Sequence, residues 1–356
     1  MRRGPSELVA AVLKILIGAV FIVSALSKFV TIDSFEMYVY SFGLFPLTAC
    51  FYFSRLLIAA ELLLGVSLVS HRNHRFTTVV SLLFLIFFIC FLVYAQLIGR
   101  VDSCHCFGDL LPFKPLQSIL KNAVMTLVLL FVYKHASNDW YPRWWLVIII
   151  YLLVAAVFVA FSILMLHSLD LYSLVLVAVA LAMALLASFS FYSRWWITVP
   201  LIVAPFVATF ILSPPDSWYF REGDAHYDEE LFMEDEHLSS IRTSENRALV
   251  AFFSPTCGFC RLSAEKISTV VMRNDIDAEK IVFVFPDGFE ENRYQSFYER
   301  ANSSKFAEVR IDKDLFVRVT RAAFPVILLV DNGEVKATYA YRSINEQEIT
   351  DFLNNE

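Results

Sequence analysis

Two close cysteine pairs are the residues in this chain best suited to do chemistry: Cys104-His105-Cys106 and Cys257-Gly258-Phe259-Cys260. The other two cysteines, Cys50 and Cys90, stand alone. A disulfide scaffold would use many bridges in a small domain, so the pattern reads as two working dithiols. In the second pair, Cys257 falls just before a helical pattern. Free N–H groups and the helix macrodipole favour an anion there, which lowers a thiol pKa and creates a nucleophile near neutral pH. Cys260, one turn on, is the natural resolving thiol for a mixed disulfide. A structural zinc half-site or inert core cysteines are the competing readings, but no second ligand pair lies nearby. For Cys104 and Cys106 three readings stand open. A CxC disulfide closes a very small, strained ring and is easily reduced. Cys104, His105 and Cys106 could instead ligate copper or zinc. The third reading is a purely structural loop.

The elements that position these pairs follow from composition. The chain of 356 residues is 58% hydrophobic, with 18% charged residues and a mean hydropathy of +0.59. Soluble domains are nearer 45–50% apolar and about 25% charged, so this is an integral membrane protein by composition. Residues 1–220 carry 13 Lys+Arg and 9 Asp+Glu, net +4; residues 221–356 carry 16 and 26, net −10. No basic, aromatic-interleaved surface points to nucleic acid. Seven apolar runs approach the ~20 residues that a bilayer core requires: 8–30, 47–70, 76–99, 114–133, 144–167, 169–190 and 195–213. The first exceeds the roughly 7–15 residues of a signal-peptide core and reads as an uncleaved anchor.

Positive residues set the expected orientation. Arg2 and Arg3, then Arg72 and Arg75, then Lys134 and Arg143, then Arg194 fall in alternate connections, expected to be cytoplasmic. The intervening loops hold Asp33 and Glu36, Asp102 and Asp109, and Asp170. Seven spans starting inside place both dithiols on the outer side, an oxidising compartment if the membrane is a bacterial inner membrane.

Beyond the spans, residues 216–245 read as an acidic linker containing Asp228-Glu229-Glu230 and Glu234-Asp235-Glu236. Residues 246–356 alternate strand and helix signals. Strands are expected at Leu249–Phe253, Ile281–Phe285, Val326–Val330 and Val335–Tyr341, with a hairpin turn at Asp331-Asn332-Gly333. Helices are expected at Arg261–Met272, Glu290–Arg300 and Asn345–Leu353, the last capped by Asn345.

Strand, CxxC, helix, then a later hairpin and helix resembles the thioredoxin-like α/β order over roughly 230–356. Phe324-Pro325 resembles the cis-proline segment that lies against the dithiol in that fold. One departure is Ala251, which stands about where many thioredoxins carry a buried acid in the strand before the motif. The membrane half carries, in order, Gly18-Ala19-Val20-Phe21 with Ser24-Ala25-Leu26-Ser27-Lys28-Phe29, Tyr40-Ser41-Phe42-Gly43-Leu44-Phe45-Pro46, Glu61-Leu62-Leu63-Leu64-Gly65, and Cys104-His105-Cys106-Phe107-Gly108 followed by Lys121-Asn122. With these motifs it resembles DoxX/MauE-like proteins, in the MauE branch. That resemblance covers 1–135 and implies a four-helix membrane module in disulfide formation or redox maturation of exported proteins. Residues 136–215 are expected to add three further transmembrane helices.

Together these give a polytopic helical membrane domain followed by a thioredoxin-like domain. The expected activity is thiol–disulfide exchange with exported proteins by Cys257, Cys260, Cys104, Cys106 and Pro325. The preferred direction is oxidation, with electrons passing to a membrane quinone held by Lys28, Arg55, Lys121 and Asn122, polar residues in the outer halves of spans. No covalently bound cofactor and no resident metal are expected. Snorkelling or internal ion pairing of those charges, such as Glu61 with Lys14 or Arg55, competes with the quinone reading. Cys90 reads as a core residue. A disulfide reductase, a non-enzymatic assembly factor and a metal chaperone are the alternative functions.

Overall fold

The computed structural model describes residues 5–70, 74–97, 115–135, 203, 206–220, 225–235, 238, 247–301, 303 and 306–354. The Cys104/Cys106 loop and the runs 144–167 and 169–190 lie outside them, as does the start of 195–213. The chain divides into two compact units: Met1–Tyr38 with Tyr52–Pro214, and Val39–Phe51 with Pro215–Glu356.

In the first stretch of the chain, α1 (Pro5–Val30), α3 (Leu47–Ser70), α4 (His74–Leu97) and α5 (Pro115–His135) match the first four expected spans within a few residues. All four are long and apolar enough to cross a membrane. Helices satisfy every backbone polar group internally, as a bilayer core demands. A short helix not expected from sequence, α2 (Ile32–Tyr40), follows the first span. On α5, Leu116, Leu120, Val124 and Leu127 are exposed at helical spacing, the face lipid would cover. Ile17, Phe21, Leu64, Leu68, Leu85 and Leu129 form the interior.

Two glycines set the approach of α1 and α3. A Cβ on Gly18 would lie 2.8 Å from the Gly65 carbonyl oxygen, and one on Gly65 would lie 2.9 Å from that of Gly18. Such small-residue contacts let helix backbones meet, which in lipid replaces the hydrophobic drive available in water.

Two buried ion pairs lie in this unit. Lys28 Nζ donates to Glu61 Oε2 at 2.6 Å and to Ser24 Oγ at 2.9 Å. Arg55 donates to Glu36, to the Ser213 carbonyl at 2.5 Å and to the Pro214 carbonyl at 2.9 Å. Internal pairing thus holds, but with different partners: Glu61 pairs with Lys28, not with Lys14 or Arg55, because helix rotation selects the neighbour and hydropathy does not report rotation. Cys90 is a second correction. It is exposed on α4 among the described residues and not part of a core.

The second unit is an α/β domain. Its elements are α6 (Glu229–Glu234), β1 (Ala248–Phe252), α7 (Gly258–Arg273), β2 (Ile281–Pro286), α8 (Glu291–Arg300), β3 (Ala307–Ile311), α9 (Lys313–Val319), β4 (Val326–Asp331), β5 (Glu334–Tyr339) and α10 (Glu346–Asn354). The strands form one sheet in the order β3-β2-β1-β4-β5. β1–β2 and β2–β3 are parallel; β1–β4 and β4–β5 are antiparallel. This is the thioredoxin-like arrangement. β1 is central and buried at every position, which is why its sequence is a continuous apolar run and not an alternation. Asn332 and Gly333 both take positive φ at the β4–β5 turn, as a two-residue hairpin requires.

Three elements of this domain went unread in the sequence: α6, which lies in the expected linker, and β3 and α9. β3 is an edge strand with exposed Glu308 and Arg310, so it lacks an apolar run, and α9 is only seven residues long. The stretch expected to be a linker also contributes to the domain. Phe232 and Leu238 are fully buried with Val250, Phe252, Phe316 and Leu328 on one side of the sheet. On the other side, Phe253 packs against Phe283, Phe285 and Phe297. Residues of the segment 39–51 bond to the domain's own elements: the Tyr40 hydroxyl donates to Glu346 Oε1 at 2.5 Å, and Arg273 donates to the Phe45 carbonyl at 2.8 Å.

Candidate active site

β1 delivers the chain to the sheet end, and Phe253-Ser254-Pro255-Thr256 turns it into α7. Cys257 is the N-cap of that helix, extended at φ −86° and ψ 122°. Its Sγ accepts a hydrogen bond from the Cys260 backbone N–H at 3.2 Å. A thiolate in this position satisfies one of the orphan donors of the first turn. Cys257 is half-buried, whereas Cys260 has no exposed surface. The Cys260 sulfur accepts from the Ser254 N–H at 3.5 Å.

These surroundings pull the two thiols apart. The Cys260 side chain donating to the Cys257 sulfur outweighs partial burial, and backbone N–H groups of Cys260 and Phe259 add to it, bringing the Cys257 pKa from 9.0 down to about 6. Burial, followed by the neighbouring Cys257 sulfur, pushes the Cys260 thiol well above its ordinary value. The arrangement has one nucleophilic, reachable sulfur and one protonated, sheltered sulfur.

Phe324–Pro325 is cis, as expected from the sequence, and the Phe324 carbonyl lies 4.0 Å from the Cys257 sulfur. Cys257, Cys260 and Pro325 are therefore brought together. Ala251 is fully buried in β1, on the sheet face opposite Val250 and Phe252.

One supporting group gave no sequence signal. Phe259, between the cysteines, is 59% exposed, and its ring lies 5.2 Å from that of Tyr341. Lys266 Nζ sits 4.2 Å from the Tyr341 ring centre and pairs with buried Asp216. A lone lysine in mid-helix, 50 residues from its acid, has no spacing to mark it.

Beside Cys257 opens a cleft of ≈ 460 Å³, lined among others by Thr256, Arg261, Arg293, Ser296 and Arg300. The predicted quinone residues divide. Lys28, Lys121 and Asn122 line one cavity with Ser24 and Glu61, while Arg55 belongs to the separate Glu36 pair. That cavity has room of ≈ 20 Å³, about one water molecule. Its donors suit a quinone carbonyl chemically; its volume does not fit the ring. Cys104 and Cys106 lie outside the described residues.

Comparison with known proteins agrees with this division of the chain. The family model of the methylamine utilisation protein MauE matches residues 6–135, the stretch carrying the MauE-like motifs. Protein TlpB of Flavobacterium psychrophilum is 33% identical over 150 residues, covering 39% of this chain. The match spans 41% of TlpB's own length. Among solved structures, a secreted Mycobacterium tuberculosis disulfide oxidoreductase homologous to E. coli DsbE covers 32% of this chain and 84% of its own, at 16% identity and a TM-score of 0.25. So low a score carries no argument; strand order, dithiol position and the cis-proline assign the fold.

Proposed function

We propose that this membrane protein is a thiol–disulfide oxidoreductase in which Cys257 exchanges with exported protein thiols. The observation that carries the reading is the N-cap position of Cys257, with its lowered pKa, one turn from a buried Cys260. In the oxidising direction, a substrate thiolate attacks the Cys257 sulfur of a Cys257–Cys260 disulfide. The substrate–Cys257 bond forms, the Cys257–Cys260 bond breaks, and Cys260 takes up a proton. A second substrate thiolate then attacks the substrate sulfur of this mixed disulfide and frees Cys257 as a thiolate. The substrate loses two electrons and two protons in forming its disulfide; the dithiol keeps the electrons. Stabilising the Cys257 thiolate stabilises the reduced form, which makes the pair a better oxidant and supports this direction. A Cys104–Cys106 disulfide would reoxidise the pair by the same exchange, becoming a dithiol itself. No step is assigned to a quinone, whose ring the Lys28 cavity does not fit.

The proposed site is the outer face of a bacterial inner membrane, following the positive-inside orientation. Trapping in a Cys260→Ala variant of the full chain, expressed in its own cell envelope, tests the whole reading. Mixed disulfides from Cys257 to exported proteins, and to Cys104 or Cys106, are expected. External proteins alone would remove the relay, and no Cys257 adduct at all would remove the oxidoreductase.

A further inference from the structure

The cleft beside Cys257 carries a charge pattern that thiol exchange by itself does not require. Arg293, Ser296 and Arg300 recur at i, i+3 and i+7 on α8, so they share one helix face. Arg261, in the first turn of α7, adds a third guanidinium, and all four residues line the cleft with the Cys257 sulfur. None of the three arginines has a carboxylate within ion-pair distance among the described residues. Elsewhere in the same domain, Arg247 pairs with Asp331, Arg310 with Glu291 and Glu308, and Arg321 with Asp228. Residues 221–356 carry net −10, so acids to pair with are abundant. Three arginines without an ion pair among the described residues therefore gather in the cleft beside the reactive sulfur. They are not occupied in holding the Cys257 thiolate, whose hydrogen bonds come from Cys260 and the first-turn N–H groups.

Guanidinium groups match carboxylates in a planar, bidentate geometry, and partner charges of opposite sign raise encounter rates and align the docked segment. We propose that this cleft selects substrates whose reacting sulfur is flanked by carboxylates, an acidic segment of an exported protein being the occupant that its size and two-helix lining fit. The proposal rests on Cys257 being the exchanging sulfur. A small carboxylate-bearing disulfide such as oxidised glutathione offers the same chemistry from a second source.

The test uses the reduced full chain in detergent and three peptides carrying an activated disulfide on one central cysteine. Flanks are Asp/Glu, Ser/Gly or Lys/Arg, and oxidised glutathione forms a fourth arm. The acidic peptide should react about tenfold faster than the neutral one at low salt, and the advantage should fade as salt rises. In R293Q/R300Q, both exposed on α8, the acidic-to-neutral ratio should fall toward one; R293K/R300K should keep part of it. Equal rates in the wild-type chain, or a ratio that survives R293Q/R300Q, would overturn the proposal while leaving exchange at Cys257 intact. Failure of every peptide to react would instead remove the exchange reading on which it rests. A glutathione rate matching the acidic peptide, with the same loss in R293Q/R300Q, assigns the site to small anionic disulfides; an acidic-peptide advantage alone assigns it to protein segments.

Discussion

Cys257 and Cys260 stand one helical turn apart in opposite environments, one offered hydrogen bonds at a helix start and the other enclosed. The lowered Cys257 pKa has a signed effect on stability. With a folded value of about 6 against 9.0 for the unfolded thiol, the ionised Cys257 stabilises the reduced fold fully above about pH 9. That contribution declines as pH falls and is gone below about 6. Alkylation of the reduced chain at Cys257 should therefore rise with a midpoint near pH 6, and Cys260→Ala should move the midpoint up by removing the main donor. A wild-type midpoint near 9 would mean the thiolate is not held. The two cysteines and Pro325 were legible because their chemistry lies in adjacent letters. The cleft arginines were not, because Arg261 and Arg293 meet only after α7 and α8 pack. The Lys266–Asp216 pair was hidden for the same reason.

At the scale of elements, periodicity found what is apolar and missed what is short or charged. The four described spans and strands β1, β2 and β4 are runs that any hydropathy reading detects. β3 hides because its pairing groups are backbone atoms and three of its five side chains, Ala307, Glu308 and Arg310, are exposed. α6 hides because acids surround its one anchoring residue, Phe232. Helix contacts are less visible still: Gly18 and Gly65 were legible as motif letters, but their backbone approach is a matter of helix rotation. Placing a side chain there should separate α1 from α3. Gly65→Val is expected to lower the thermal midpoint of the detergent-solubilised chain by several degrees, since overpacking costs roughly 1–3 kcal/mol, whereas Leu120→Val on the exposed face of α5 should leave it nearly unchanged. Equal effects at the two sites would show that the Gly18–Gly65 contact does not organise the helices.

For the whole molecule, the change of net charge from +4 over 1–220 to −10 over 221–356 coincides with the change from bilayer-length helices to an α/β sheet domain. Charge and hydropathy made that division readable at once. Orientation is read from loop charges, and the proposed relay requires Cys104, Cys106 and Cys257 on one side of the membrane. A membrane-impermeant maleimide added to reduced, intact spheroplasts should label single-cysteine chains retaining Cys104 or Cys257 alike. Labelling of one from outside and the other only after lysis would end the relay.

The absence of an acid at Ala251 bears on time as well as on affinity. Once a substrate is joined to Cys257, the quickest way to undo the bond is attack by Cys260, which must first lose a proton that its enclosed surroundings hold firmly. With an alanine where a proton acceptor could stand, that reversal waits on water reaching a sulfur with no exposed surface. In the proposed exchange the mixed disulfide would thus gain a longer dwell, during which a second cysteine of the substrate could search for its partner. In that exchange an enclosed, protonated Cys260 would act as a delay, giving a client time to choose which bond to close.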